Sequence, residues 1–269
     1  MEHHTLWIVE VVNRLFGPFV ASMLGQPYTP GLVVIPDHLV MCALIVLVVT
    51  LFCVAVRSTF SVDDPGKLQI VLEDIVGFLN GLLTENIGPK GPKFLPLVGS
   101  IFIFIFLANA IGKIPGLMSP TANISTTLGC ALTVWVYYHL QGMKAQGVGG
   151  YVKHFIIPPG VPLFIAPIMA PIEMISHLSR VMSLSLRLFG NVYGEELVVL
   201  IMASIVPFLV PLPMMFLGVI TGSLQAYIFT LLTIIYLAGA VHTEHGHDDA
   251  HHDDHHAHGD SPAHAHAAA

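Results

Sequence analysis

Residues 162–204 read PLFIAPIMAPIEMISHLSRVMSLSLRLFGNVYGEELVVLIMAS, and residues 207–241 read PFLVPLPMMFLGVITGSLQAYIFTLLTIIYLAGAV. A helix needs about 20 apolar residues to cross about 30 Å of hydrocarbon. At 1.5 Å per residue these two runs would measure roughly 60 and 50 Å as helices. Neither fits upright in a bilayer, so they must tilt strongly, kink or lie partly along the membrane. Their prolines (Pro162, Pro167, Pro171; Pro207, Pro211, Pro213) sit near their starts, where a helix tolerates them best. The sequence predicts an antiparallel pair of long tilted helices.

The rest of the chain agrees with a lipid solvent. Of 269 residues, 54% are hydrophobic and 10% charged, against roughly a quarter charged in soluble domains. Three further apolar runs, 37–56, 95–112 and 123–142, each have about the length of one crossing. Between the first two lies 67–85, an amphipathic stretch with Glu73, Asp74 and Asn80, expected in the membrane surface. The predicted fold is therefore an all-α integral membrane protein with about five crossings and a surface amphipathic helix. Residues 1–35 form an external N-terminal segment, 36–241 the membrane domain, and 242–269 a tail. The N-terminus is not basic, and Glu10 and Arg14 interrupt its first apolar stretch. Residues 5–24 thus read as an interfacial segment rather than a cleaved leader.

Charge sets the orientation. Arg57, Lys67, Lys90, Lys93, Lys144 and Lys153 fall in loops of one side, and Arg14 and Lys113 on the other. The cation-rich side is cytoplasmic, which puts the N-terminus outside and the C-terminus inside. The net charge of −7 comes from the tail, where Glu244, Asp248, Asp249, Asp253, Asp254 and Asp260 face no Lys or Arg. That tail is rich in histidine (His251, His252, His255 and His256 among others). It reads either as a weak metal-binding segment or as a solvated extension. No basic cluster points to nucleic acid, and no cofactor motif is present. Cys42, Cys53 and Cys130 lie in apolar runs without ligand spacing.

Charges inside a membrane helix are costly, and they mark function by default. Glu173, Arg180 and Arg187 recur every seven residues, a spacing that keeps them near one helix face. His177 and Asn191 each lie four residues from a member of this stripe, and Glu195 lies four beyond Asn191. Glu196 is nine residues from Arg187, about 900° of turn, and so points to the opposite side. Glu173, His177 and Arg180 can satisfy one another as a packing network. Arg187 has no acidic residue three or four positions away and needs a partner from elsewhere.

The run from Ser183 through Arg187 to Asn191, followed by Tyr193 and Glu196, resembles the signature of subunit a of F-type ATP synthases of bacterial type. So do Leu224 to Leu237, the segment Pro120 to Ser125, and Glu173 placed fourteen residues before Arg187. The resemblance covers roughly 36–242. It implies a stationary proton-channel subunit of the bacterial inner membrane, partnered by a ring of c subunits, the b-subunit peripheral stalk and the whole F1Fo complex. It implies that Arg187 is the essential arginine facing the ring. Glu196, Asn191 and Gln225 match the outer half-channel, and Ser183 and Glu173, with His177 beside them, the cytoplasmic one. In some well-known members a histidine seven residues before the matched glutamine partners the glutamate. Here that position is Gly218, so Glu196 must relay protons through water or another group, and Glu195 is an extra acid on the proton path whose role the resemblance does not fix. An ion-coupled secondary transporter would also use intramembrane charges and broken helices. Against it stand the small number of crossings and the lack of an inverted repeat.

Overall fold

Hydrocarbon offers no partner to a backbone N–H or C=O, so a chain this apolar must satisfy its backbone within helices. The computed structural model describes residues 7–23, 25, 34–58, 60–61, 65–114, 117–151, 166–205 and 211–241. Among them are seven long helices and no strand: α1 (Trp7–Met23), α2 (Asp37–Arg57), α3 (Lys67–Ile87), α4 (Leu95–Ile111), α5 (Ile124–Gln146), α6 (Ala166–Ile205) and α7 (Pro211–Val241). The His-rich tail, with the metal ligands suggested for it, lies outside the described residues.

Local chemistry sets several helix ends. Pro36 precedes α2, and a proline sits in the first turn of α4, where its missing N–H costs nothing. Asn123 caps α5 by accepting a hydrogen bond from the Ser125 amide at 2.9 Å. Gly147, with φ of 75°, stops α5 in a conformation that a side chain would strain. The Asn13 side chain of α1 holds the start of the membrane domain. It accepts from the Val34 and Ile35 amides at 3.0 and 2.8 Å and donates to the Ile35 carbonyl.

By length and apolarity, four of the described helices can cross a membrane: α2, α4 with the 3-10 turn before it, α6 and α7. The stretch expected as the third crossing, α5, is not among them. Its 23 residues are long enough, but they carry Ser125, Thr126, Thr127, His139 and Gln141. Part of that polarity faces the protein, which is why it can be there at all. The Thr127 hydroxyl lies 3.1 Å from that of Ser185 on α6, and Tyr138 is buried against His177.

At 40 and 31 residues, α6 and α7 are about 60 and 46 Å long. They pack against each other and run antiparallel: Arg180 meets Tyr236, Asn191 meets Gln225 and Glu195 meets Gly218. The core is the seam that α4, α5 and α3 close around this pair. Leu83, Val98, Ile105, Val134, Leu188 and Phe229 are buried in it.

A polar knot pins α4 to α7 inside that seam. Buried Asn109 donates to the Gly222 carbonyl at 3.0 Å and accepts from the Thr121 hydroxyl at 2.7 Å. Ser119 completes the knot, donating to the Ala108 carbonyl at 2.8 Å. The fit is close, since a side chain on Gly222 would meet the Asn109 Cβ at 3.1 Å. Asn109→Leu removes the buried side-chain bonds to the Gly222 carbonyl and the Thr121 hydroxyl, at a cost of about 1–3 kcal/mol. The expected outcome is a lower midpoint of thermal unfolding in detergent, with Asn109→Gln falling between that variant and the wild type.

Candidate functional site

The polar side chains of α6 fall into three groups along its length. Each is held by a different neighbour.

The first group lies near the start of α6. His177 joins Glu173 at 3.2 Å through Nε2 and the Tyr138 hydroxyl at 2.7 Å through Nδ1. Its ring lies 4.8 Å from that of His139, whose Nδ1 is 2.5 Å from the Tyr151 hydroxyl. Arg180 lies over the Tyr236 ring at 5.4 Å, a cation–π contact that shelters its charge against α7. Two histidines, three tyrosines, a glutamate and an arginine thus meet where α5, α6 and α7 converge.

The second group is at mid-helix. Arg187 is exposed, and among the described residues it has no ion-pair partner. Leu186, Met182, Leu178, Ile175 and Ile201 are exposed along the same helix. Ser183, one turn before Arg187, is exposed as well. One turn after it, Asn191 reaches across to α7 and donates to Gln225 Oε1 at 2.6 Å. Gln225 is buried, and its Nε2 has no acceptor among the described residues. The seven-residue spacing placed Glu173, Arg180 and Arg187 on a common stripe. In the structure their side chains part company. Arg180 turns in against Tyr236 and Glu173 against His177, whereas Arg187 stays outside.

The third group lies towards the far end. Glu195 forms an ion pair with Lys113, which follows the last turn of α4; the two side chains are only 12% and 16% exposed for the lysine and the glutamate. Glu196 lies beside them, in electrostatic reach of Lys113 and of the Ser119 backbone. These three charged residues line a cavity of about 400 Å³ together with Leu117, Met118, Val199, Ala203 and Met215. From Glu173 to Glu196 is about 35 Å along the helix, with Arg187 between the two polar ends.

Gly218 explains the missing histidine. A Cβ built there would overlap the Glu195 carboxylate, which fills the space that a side chain on α7 would otherwise take. The extra acid, Glu195, therefore occupies that space and brings Lys113 with it. Sequence reasoning passed over Lys113, His139, Tyr138, Tyr151 and Tyr236. Two carried a signal: Lys113 adjoins an apolar run, and His139 lies inside one.

A bundle of long apolar helices, with buried charges at both ends and an exposed cation between them, defines a multi-pass membrane protein built for ion transport. Residues 38–238 match the ATP synthase A chain family. The chain is 47% identical to ATP synthase subunit a 3 of Pelobacter propionicus over 202 residues, covering 75% of this chain and 86% of that one. To ATP synthase subunit a 1 of the same organism it is 41% identical over 243 residues, 90% of this chain and 99% of that one. To ATP synthase subunit a of Geobacter sp. (strain M21) it is 49% identical over 183 residues, covering 68% and 77%. The chain belongs to the ATP synthase A chain family and is a subunit of the proton-transporting membrane sector of ATP synthase.

Because the Glu195 carboxylate fills the space beside Gly218, Gly218→Ala must displace one or the other. Proton pumping by the assembled complex should fall at least severalfold. Adding Glu195→Asp, which keeps the charge and draws the carboxylate back by one methylene, should recover part of that loss. ATP-driven quenching of a pH-sensitive dye in membrane vesicles measures both.

Proposed function

We propose that this chain is the stationary half of a rotary proton turbine. In this mechanism α6 and α7 face a ring of c subunits and Arg187 meets the ring's carboxylates. The observation that carries the proposal is Arg187 itself. It stands at mid-helix on an exposed apolar face, without an ion-pair partner among the described residues. A guanidinium cannot rest against hydrocarbon at low cost. Its partner must come from another chain, and the partner that suits it is a carboxylate.

The chemistry follows from two properties of arginine. Its charge favours the ionised form of a nearby carboxylate, so a ring carboxylate that is neutral in lipid gives up its proton on approach. Arginine keeps its own proton in proteins, so it attracts without joining the relay. Two half-channels, offset on either side of Arg187, then load and unload the ring. The outer one comprises Glu196, with Asn191 and Gln225 leading inward; Gln225 Nε2 offers a donor to water or to a carboxylate there. The cytoplasmic one comprises Ser183, Glu173 and His177. Each proton that crosses gains about 2.3 kcal/mol per 100 mV, and rotation follows because the short path past Arg187 is blocked. The subunit sits in the bacterial inner membrane with its N-terminus outside, held by the b-subunit stalk, and α3 lies at the membrane surface. The family match gives no support to the secondary transporter.

Lysine at position 187 should abolish coupled synthesis. It presents a compact ammonium instead of a planar fork, and burial can strip its proton, letting it join the relay that arginine interrupts. Arg187→Ala should also stop synthesis and raise passive proton leak. The measurements are ATP synthesis and passive proton flux in reconstituted vesicles. Wild-type synthesis by the lysine variant would remove Arg187 from the mechanism.

A further inference from the structure

An outer half-channel built on Glu196 leaves the Lys113–Glu195 pair without a task, and the role inferred for the pair rests on that assignment of Glu196. Both members of the pair are largely buried, and both line the cavity that contains Glu196. Taking two charges out of water is costly. A buried ion pair that serves only to fasten helices can often be replaced by apolar contacts without loss. This pair does more than bridge α4 and α6, because it changes the charge beside a third ionisable group.

The groups around Glu196 can be counted. Its own helix contributes Glu195. The segment joining α4 to α5 contributes Lys113 and the Ser119 backbone. From α7 come Met215 and Gly218, neither of which titrates. Among the described residues there are thus two carboxylates and one ammonium. Left to themselves, two adjacent carboxylates in a cavity lined mostly by apolar side chains would share a proton, since each opposes ionisation of the other. An ammonium bound to one of them removes that conflict. The Glu195 carboxylate is held against Lys113 by shape as well as by charge, because the missing side chain of Gly218 leaves the slot in which it lies.

We propose that Lys113 and Glu195 are a positioning pair for Glu196. Lys113 cancels the second carboxylate, Gly218 provides its seat, and a single carboxylate is left to exchange protons at the outer cavity. Any member of the pair changed alone would retune Glu196, and both changed together would not.

The test is ATP-driven proton pumping by the whole complex in proteoliposomes, measured against pH, with co-purification of the variant chain as the check on assembly. Lys113→Met leaves two uncompensated carboxylates. The midpoint of its pH profile should move alkaline by roughly one unit, with about a tenfold lower rate at neutral pH. Glu195→Gln leaves an uncompensated ammonium and should move the midpoint the other way. The double variant restores the balance and should return close to the wild-type midpoint, a non-additivity that packing alone does not give. Lys113→Arg keeps the charge and should keep the midpoint. The proposal is overturned if the single variants slow pumping without moving the midpoint, or if the double variant is displaced as far as either single. Glu196→Gln separates the two levels. If it blocks pumping while the pair's variants shift nothing, the proposal fails and the outer half-channel stands. If it pumps as the wild type does, the assignment of Glu196 falls, and the proposal with it.

Discussion

Hydrocarbon will not solvate a charge or an unpaired amide, and the whole arrangement follows from how the chain meets that constraint. Asn109 ties α4 to α7, Thr127 meets Ser185, Asn191 meets Gln225, and Glu195 meets Lys113. Each of these pairs crosses between helices, so satisfying polar groups and fixing helix positions are one act. Arg187 has no ion-pair partner among the described residues. It stands exposed between the two polar ends of α6.

The two halves solve different problems. Near the start of α6, Glu173, His177, Tyr138, His139 and Tyr151 form hydrogen-bonded and stacked contacts in which most members can both donate and accept. Such a set surrounds the Glu173 carboxyl and the Arg180 guanidinium with hydrogen-bonding and aromatic groups. Near the far end the groups are fully ionisable, Lys113 against Glu195 with Glu196 alongside, and they share a cavity of about 400 Å³. The ammonium offsets one of the two carboxylates there, which lowers the cost of holding charge among apolar side chains.

Much of this was legible in the residues. Apolar runs of about 18 residues or more find their natural solvent in lipid, so α2, α4, α6 and α7 were legible as helices long and apolar enough to cross a membrane. Pro36, Asn123 and Gly147 act on their own neighbours and mark helix ends wherever the fold puts them. The stripe on α6 followed from seven-residue spacing, and the isolation of Arg187 followed from the absence of an acid one turn away. The expected third crossing was harder. The apolarity of α5 is diluted by Thr126, Thr127 and Tyr138, which are polar because they face α6 and the core rather than lipid. No pattern internal to α5 reveals what stands opposite it.

What the sequence by itself determined is therefore local and periodic: which segments are helical, which can cross a bilayer, and that one arginine lacks a partner on its own helix. Tertiary structure alone decided who meets whom. Lys113 and Glu195 are 82 residues apart, and Gly218 lies on a third helix. Nothing in their separate neighbourhoods signals that a glycine is the seat of a carboxylate. Likewise, an identical spacing gave Arg180 and Arg187 the same position on the stripe. Tyr236 stands over the first and makes it a packing residue; the second meets no such ring or acid among the described residues and stays exposed. Periodicity fixes the direction in which a side chain sets out from its helix; the neighbouring helices fix what it finds there.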